Sequence, residues 1–163
     1  MDYRFTNEFS PSKIDEIVHY MAGPRLWVPE SDYPDFFDWT QKVHAQLKDQ
    51  TKRAVIALSG ADVIGVSLYQ RHKHHSDTLE IKNLSVRPDA RGRYIASFLL
   101  RNTEIQGAQD FSVSRAICDA KATNLSILYF LQKHRYAVTA TRDLYGLQAG
   151  DDHVYIKQLS HPA

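Results

Sequence analysis

The stretch Leu84-Ser85-Val86-Arg87-Pro88-Asp89-Ala90-Arg91-Gly92-Arg93-Tyr94-Ile95-Ala96 decides the fold, because it joins a strand to a helix through a short basic loop. The first backbone N–H groups of a helix lack partners within it, and the helix dipole is positive there. Such an end binds phosphate readily. Gly92 lets a ligand approach the backbone, and Arg91 and Arg93 add charge, so the stretch predicts a pyrophosphate site. A strand–loop–helix joint with two solvated arginines is the alternative that these residues leave open.

Strand signals precede this stretch. Three short apolar runs are separated by polar turns, which predicts an antiparallel meander. Pro88 ends the meander, because proline cannot continue a central strand. The predicted strands are Ala54–Leu58, Val63–Tyr69 and Thr78–Val86.

Helix and strand signals alternate after the stretch. A helix is expected from about Tyr94 to Ile105, and this alternation predicts a locally parallel pair of strands within a mixed sheet. One side of that helix is predicted to carry Ile95, Phe98, Leu99, Asn102 and Ile105. The later elements are predicted as a strand at Ser112–Cys118, a helix at Leu125–His134, and closing strands at Tyr136–Thr141 and Val154–Leu159.

The N-terminal part reads as one strand and two helices. A strand is expected within Tyr3–Phe9, and Ser10-Pro11 opens a helix that stops at Gly23-Pro24. A second helix starts near Asp35. Its buried face is predicted to be Phe36, Trp39, Val43 and Leu47. The order β-α-α-β-β-β-α-β-α-β-β predicts an α/β fold with a mixed sheet.

The central stretch resembles the acetyl-CoA signature of the GNAT superfamily of N-acetyltransferases. The signature is Gln or Arg, two residues, Gly, one residue, then Gly or Ala. Arg91 and Ala96 match its ends, Arg91-Gly92 matches its commoner longer form, and the preceding Leu-x-Val-x-Pro also matches. The resemblance covers roughly Arg53 to Leu159. It implies a splayed central mixed sheet flanked by helices.

The same resemblance implies where acetyl-CoA, the acyl donor, would bind. Strand backbone around Leu84 and Val86 would pair with the pantetheine arm. Asn124 begins what looks like the second coenzyme segment of the family. The pyrophosphate would be held by backbone amides of Arg91, Gly92, Arg93, Tyr94, Ile95 and Ala96.

Two positions depart from the family pattern. Tyr94 replaces the central glycine of the signature, so its Cβ and ring must point away from the phosphates. Leu131 stands seven residues after Asn124, where the family usually has a tyrosine that protonates the departing CoA thiolate. Tyr129 and Tyr136 are off register. Another group protonates the sulfur, the thiolate leaves unassisted, or the chain binds CoA without catalysis.

Glu80 is the candidate general base, since an amine attacks a thioester only after losing its proton. Even spacing along the strand predicts that Glu80 shares a face with Leu84 and Val86, and partial burial predicts a raised pKa. The resemblance also implies a glutamate on this strand as the base. The alternative is a cross-strand salt bridge, for example with Arg71.

The segment from Trp27 to Trp39 is the candidate acceptor side. It interleaves four carboxylates with five aromatic rings, which suits a cationic amine. Trp27, Asp32 and Tyr33 are the predicted substrate-binding residues. Acidic residues at a helix start and apolar residues in its core explain the later part of the segment equally well.

Bulk composition excludes several classes of protein. The 163 residues carry a formal net charge of +1, which argues against a nucleic-acid partner, including an aminoacyl-tRNA acceptor. A single domain spanning residues 1–163 is expected. One cysteine, Cys118, suits a reducing compartment, and neither a secretion signal nor a membrane span is evident, so a cytoplasmic protein is expected.

No metal site is expected. His72, His74 and His75 lie close in sequence, but no further ligands are positioned to complete a set. The functional prediction is therefore a metal-free N-acetyltransferase, a monomer or a homodimer, that moves an acetyl group from acetyl-CoA directly to a primary amine. The alternative is a CoA-binding regulatory module without turnover.

Overall fold

A computed structural model describes residues 2–23, 35–146 and 150–159. Seven strands and four helices follow the predicted order. The strands are β1 (Tyr3–Thr6), β2 (Arg53–Ser59), β3 (Asp62–Arg71), β4 (Thr78–Val86), β5 (Arg115–Lys121), β6 (Ala137–Arg142) and β7 (Asp152–Gln158). The helices are α1 (Pro11–Ala22), α2 (Phe36–Lys48), α3 (Ile95–Phe111) and α4 (Leu125–Lys133), and a 3-10 turn spans Pro88–Ala90.

The strands form one mixed sheet in the order β1-β2-β3-β4-β5-β7-β6. Strands β2, β3 and β4 are the predicted antiparallel meander. Strands β4 and β5 pair in parallel, because α3 carries the chain back across the sheet between them. The predicted mixed α/β sheet is thus confirmed.

The sheet forks between β4 and β5. Only Thr78, Leu79 and Glu80 of β4 pair with β5, opposite Arg115, Ala116 and Ile117. Beyond those pairs, β4 continues beside β3 to Val86, while β5 continues beside β7 to Lys121. The predicted splay is therefore present and opens after Glu80, toward the carboxyl ends of both strands.

Two apolar clusters cover opposite faces of the sheet. Helices α1 and α2 pack on one face, which we call the α2 face, through residues such as Ile17 and Val43. Helices α3 and α4 pack on the other, the α3 face, through residues such as Leu99 and Leu131. The fork lies between these two covered faces.

The buried stripe of α3 differs from the predicted one. Phe98 and Ile105 are 52% and 45% exposed, whereas Leu100, Thr103 and Gly107 are buried beside Ile95 and Leu99. Both stripes fit helical spacing. The small residues decide between them, because they let the helix approach the sheet closely.

The largest boundary shift is at α3 and β5, and the buried face of α2 also differs from the predicted one. Helix α3 runs six residues past the predicted end, to Phe111, which delays β5 until Arg115 and extends it to Lys121. In α2, Thr40 is fully buried, while Phe36 and Trp39 are only partly buried.

Candidate active site

A bulge at Lys82 divides β4 into two parts whose side chains alternate out of step. Tyr69 pairs with Ile81 and Leu68 pairs with Asn83, so Lys82 has no partner on β3. One extra residue shifts the alternation of the side chains between the two faces.

Glu80 and Leu84 consequently face opposite sides of the sheet. Leu84 and Val86 pack in the α3-face cluster. Glu80 pairs with Gln70, and both line a cavity with Trp39 of α2. The expectation that Glu80 shares a face with Leu84 and Val86 is therefore wrong, because even spacing assumes an unbroken strand.

The predicted phosphate loop forms the start of α3. Gly92 has φ +73° and Tyr94 has φ +61°, so both adopt the left-handed conformation. The N–H of Phe98 donates to the carbonyl of Tyr94 at 3.1 Å, which leaves the N–H groups of Ile95, Ala96 and Ser97 without partners inside the helix.

A cavity of about 260 Å³ opens at this helix end. Val86 lines it from β4, and Phe130 and Lys133 line it from α4. The remaining lining residues are Ala90, Arg91, Gly92, Tyr94, Ile95, Ala96 and Ser97. The structure brings most of the predicted coenzyme residues together here. Lys133 adds a cation that sequence reasoning had not assigned to this site.

Tyr94 holds a left-handed backbone conformation, which glycine adopts without steric cost. Its side chain is 71% exposed and stands at the rim of the cavity. The ring therefore leaves the helix N-terminus accessible, as the sequence analysis required.

Hydrogen bonds from two arginines hold the loop in place. Arg91 Nε donates to the carbonyl of Val86 at 2.9 Å, and Arg93 Nη1 donates to the hydroxyl of Tyr3.

Asn124 lies just beyond β5 and caps α4. Its Oδ1 accepts the N–H of Ile127 at 3.2 Å, and it is not among the residues that line the cavity. The structure thus assigns it a capping role at the carboxyl end of β5.

Two of the three positions considered for the general acid are buried. Leu131 is 3% exposed in the α3-face cluster. Tyr136 is buried and donates its hydroxyl to Glu104 at 2.9 Å, and burial raises its pKa far above the ordinary value. Tyr129 is 66% exposed on α4.

Glu80 is held by two donors at the fork. Gln70 Nε2 lies 2.7 Å from Oε2, and Lys82 Nζ lies 3.0 Å from Oε1. Burial raises the pKa of Glu80, but Lys82, Gln70 and His72 together lower it below the ordinary value. The expected raised pKa is therefore wrong, because the bulge places Lys82 beside the carboxylate. The salt bridge is with Lys82 rather than Arg71.

Asp119 is a second carboxylate that the sequence analysis missed. It lies on β5 opposite Val154, and its neighbour Cys118 belongs to the α3-face cluster, so Asp119 faces the α2 side, as Glu80 does. Tyr145 donates to its Oδ2 at 2.8 Å.

The electrostatic environment of Asp119 differs from that of Glu80. Burial raises the pKa of Asp119, with further raising by Asp152 and Glu80, against the lowering effects of Tyr145 and Lys82. A lone aspartate within the apolar strand was the available signal, but the predicted strand stopped at Cys118.

A second, larger cavity of about 560 Å³ opens on the α2 face beside Glu80. Trp39 and Gln46 contribute from α2, and the β3–β4 hairpin contributes His72, Lys73 and His74. The other lining residues are Thr51, Lys52, Gln70, Arg71, Glu80 and Lys82. The predicted acceptor residues Trp27, Asp32 and Tyr33 lie outside the described residues.

The hairpin histidines stack on one another. The rings of His72 and His75 lie 4.9 Å apart. Within residues 2–23, 35–146 and 150–159, no three His, Cys, Asp or Glu side chains are grouped as metal ligands would be. In the same ranges, no helix is long and apolar enough to cross a membrane.

Comparison with known proteins agrees with this geometry. The family described as "Acetyltransferase (GNAT) family" matches residues 14–135. The chain belongs to the GNAT acetyltransferase family. It is thereby an acyltransferase of the GNAT type, and its forked sheet is the GNAT fold. No curated protein matches the chain significantly in sequence.

Solved GNAT structures share the fold at low sequence identity. An N-acetyltransferase from Staphylococcus aureus has a TM-score of 0.77 at 16% identity, covering 98% of this chain and 100% of its own. The PaiA N-acetyltransferase of Thermoplasma acidophilum, solved with coenzyme A, has a TM-score of 0.73 at 13% identity, covering 97% of this chain and 99% of its own. The ribosomal-protein-S18-alanine N-acetyltransferase of Escherichia coli has a TM-score of 0.75 at 13% identity, covering 99% of this chain and 97% of its own.

Proposed function

We propose that this GNAT protein transfers an acetyl group from acetyl-CoA directly to a primary amine. One observation carries the proposal. The fork between β4 and β5 separates a cavity at the start of α3 from a cavity lined by Glu80 on the other face. A donor and an acceptor that enter from opposite faces would meet at the fork.

The donor side suits the pyrophosphate of acetyl-CoA. Unpartnered N–H groups at the start of a helix, the positive end of its dipole and Lys133 all favour a bound anion. Beyond Glu80, the edge of β4 that faces β5 lacks a strand partner, so it is available to the amide groups of the pantetheine arm. The complex of the Thermoplasma relative with coenzyme A adds support.

The chemistry requires a base and a place for negative charge. The amine nitrogen, once deprotonated, forms a bond to the thioester carbon, and the C–S bond then breaks to release CoA as a thiolate. In this proposal the N–H of Leu84 or Val86 stabilises the oxyanion formed between the two steps. The sulfur takes its proton from solvent or leaves as the thiolate, since Leu131 cannot supply one.

Glu80 is the proposed base, and Asp119 is its competitor. Environments that shift two carboxyl pKa values in opposite directions often separate their roles. With its lowered pKa, Glu80 is ionised at neutral pH and can accept a proton, directly or through water. The pKa of Asp119 is raised instead, mainly by burial, which favours proton uptake by this carboxylate.

The first experiment measures coenzyme binding and then thiol release. In a thermal-shift assay, acetyl-CoA and CoA should each raise the melting temperature, whereas ATP should not. Thiol release is then followed on a panel of primary amines. Because Cys118 is buried and burial raises its pKa, the protein itself should add little thiol signal. Coenzyme binding without thiol release on any amine would favour the non-catalytic CoA-binding module.

The pH dependence of kcat/KM distinguishes the two carboxylates. A base must be deprotonated, so activity falls as the pH drops through its pKa. If Glu80 is the base, that fall lies below the ordinary glutamate range, and Glu80→Gln lowers kcat by about 10²–10⁴-fold without weakening coenzyme binding. Glu8→Gln, an exposed substitution, is the control. A fall above the ordinary aspartate range that is lost in Asp119→Asn would instead assign the base to Asp119.

A further inference from the structure

We infer that the protein acetylates its own Lys82, which converts the ammonium group of this side chain into a neutral amide at the fork. This inference rests on the proposed function, because acetyl-CoA is the donor and Glu80 is the base. It assigns a covalent modification site to the chain, and the modified group is a lysine amine on the acceptor side of the same reaction.

Lys82 places a primary amine beside the proposed base. Its Nζ lies 3.0 Å from Oε1 of Glu80, while Gln70 holds the other carboxylate oxygen at 2.7 Å. A general base must lie within hydrogen-bond reach of the proton that it removes, roughly 2.6–3.2 Å between heavy atoms. The amine of Lys82 already meets this requirement without any movement of the sheet.

The bulge in β4 also brings this amine close to the proposed path of the thioester. Lys82 lacks a partner on β3 and lies two residues before Leu84, whose N–H is proposed to stabilise the oxyanion. In the described part of the chain, β4 does not pair with β5 beyond Glu80, so the edge of β4 beside Lys82 is open to the fork. The flexible four-carbon stem of a lysine can turn its amine from Glu80 toward a thioester bound along that edge.

The Lys82 amine is accessible, whereas other buried lysines are directed elsewhere. Its side chain is 24% exposed and lines the cavity of about 560 Å³ on the α2 face. Lys121, by contrast, is 5% exposed and pairs with Asp152 at 3.0 Å. Lys52 Nζ donates to Gln46 Oε1 at 2.7 Å, and Lys52 precedes β2, which β3 separates from β4. Lys82 is therefore the lysine that the fold presents to the proposed base.

The reaction follows the steps proposed for an external amine. Glu80 takes a proton from Nζ of Lys82, and the free amine forms a bond to the thioester carbon. The C–S bond then breaks, CoA leaves as a thiolate that takes a proton from solvent, and Lys82 keeps the acetyl group as Nε-acetyllysine. Because the amine must first leave its ion pair with Glu80, we expect self-acetylation to be slower than transfer to an acceptor.

Acetylation of Lys82 would change the electrostatics of the fork. Burial has the largest effect on the pKa of each charged or titratable neighbour, and the charge of Lys82 lowers the pKa of every one of them. These neighbours are Glu80 on β4, Asp119 on β5, Lys52 before β2 and His72 on the β3–β4 hairpin. A neutral amide removes that effect, so each pKa rises. Since the base must be deprotonated, the activity of the acetylated protein should fall off at a higher pH than that of the unmodified protein.

The test is mass spectrometry of the protein after incubation with deuterated acetyl-CoA and no added amine. The deuterium label separates new acetyl groups from any acquired during expression. We expect one labelled acetyl group per chain, located at Lys82 by fragmentation of the peptide that contains it, with an equal amount of free CoA released. Lys42, an exposed position on α2 outside the cavity, is the internal control and should acquire little label.

Three comparisons separate this reaction from nonspecific chemistry. The rate should not depend on protein concentration, because the amine and the base belong to one chain. Acetyl phosphate, which bypasses the coenzyme site, should label Lys42 at least as fast as Lys82. Glu80→Gln should slow the labelling of Lys82 by about tenfold or more, whereas Glu8→Gln, an exposed substitution, should not.

Variants at Lys82 test the consequence for activity. Lys82→Arg keeps the positive charge and removes the acceptor amine, so it should take up no label at this position. Lys82→Gln imitates the neutral, acetylated form. The fall in kcat/KM at low pH should lie higher in Lys82→Gln than in Lys82→Arg, and NMR titration of the Glu80 carboxyl carbon gives the same comparison without an acceptor. Equal pKa values of Glu80 in the two variants would contradict the electrostatic consequence.

The two hypotheses fail separately. If acetyl-CoA does not bind, the proposed function is wrong and the inference falls with it. If external amines are acetylated but Lys82 takes up no more label than Lys42, self-acetylation is wrong while the proposed function stands. A rate that rises with protein concentration, or labelling that survives Glu80→Gln unchanged, would also overturn the inference. Binding of acetyl-CoA with neither reaction would contradict both hypotheses.

Discussion

Tyr94 holds the left-handed backbone conformation at the start of α3, with φ +61° and an exposed ring. This conformation costs an L-residue roughly 1–2 kcal/mol. Glycine avoids that cost but loses about 0.4–1 kcal/mol more chain entropy on folding. We therefore expect Tyr94→Gly to unfold with a free energy about 0.5–1 kcal/mol higher than Tyr94→Ala. Urea titration of both variants measures this difference.

An exposed position with ordinary helical geometry serves as the control. Arg101 of α3 is exposed. There, Arg101→Gly should be less stable than Arg101→Ala by about 1 kcal/mol. Because the ring of Tyr94 stands at the cavity rim, both Tyr94 variants should keep coenzyme affinity. A less stable Tyr94→Gly would mean that the loop carries no strain.

Tyr155 is fully buried, and its hydroxyl has no hydrogen-bond partner among the described residues. An unsatisfied buried hydroxyl costs about 1–3 kcal/mol. We expect Tyr155→Phe to leave the free energy of unfolding unchanged or to raise it. Tyr136→Phe is the comparison, since its hydroxyl donates to Glu104 and its loss should destabilise the protein by about 1–3 kcal/mol. Equal losses in both variants would indicate a partner for Tyr155.

At the scale of an element, Gly107 sets how closely α3 lies against β4. A Cβ added at this position would stand 2.5 Å from both methyl groups of Leu79, which is fully buried. Alanine normally stabilises a helix interior relative to glycine by about 1 kcal/mol. Here we expect Gly107→Ala to destabilise the protein by about 1–3 kcal/mol because of overpacking. Thermal and urea unfolding measure the change.

A double-mutant cycle with Leu79→Ala tests that cause. Once the Leu79 methyl groups are removed, the cost of Gly107→Ala should disappear. Additive costs would show that the clash with Leu79 is not responsible. The same close approach explains why the buried stripe of α3 includes Gly107 rather than Ile105.

The bulge in β4 is the other feature that acts at this scale. Because Lys82 lacks a partner on β3, Glu80 faces the cavity on the α2 face while Leu84 and Val86 face α3. In the proposed function, the part of β4 before the bulge therefore contributes to the acceptor side, and the part after it packs in the core on the α3 face.

At the scale of the whole molecule, a short strand pairing and several side chains join the two halves across the fork. Only three residue pairs link β4 to β5, and Glu104 of α3 reaches Lys157 of β7 at 2.8 Å. Buried apolar residues from both halves nevertheless share the α3-face cluster. We expect residues 1–163 to unfold in one cooperative transition, as a single domain does.

Two probes that report on different halves check this cooperativity. Both tryptophans, Trp27 and Trp39, precede β2, so their fluorescence reports on the N-terminal half. Hydrogen exchange of β5 to β7, followed by mass spectrometry, reports on the other half. The two midpoints should coincide. Earlier unfolding of β5 to β7 would show that the fork separates two folding units.

The sequence alone determined the order and type of the elements. Hydrophobic periodicity and turn residues are local signals, so the meander, the helices and the parallel pair were predictable. The strand–loop–helix stretch around Arg91–Ala96 also pointed to the family, and it predicts a coenzyme loop there, because phosphate binding depends on consecutive backbone groups. The bounds of β4, Thr78–Val86, were predicted without error.

Only the tertiary structure decided which side chains meet. The bulge at Lys82 changed the face of Glu80, and the Lys82 contact reversed the expected shift of its pKa. Glu80 and Asp119 come from strands far apart in the chain, and no local pattern reports their proximity. Pairing register and close helix packing depend on long-range contacts, whereas periodicity depends on neighbours along the chain. The sequence therefore predicts the donor side, whereas the proposed acceptor side is formed only in the folded sheet.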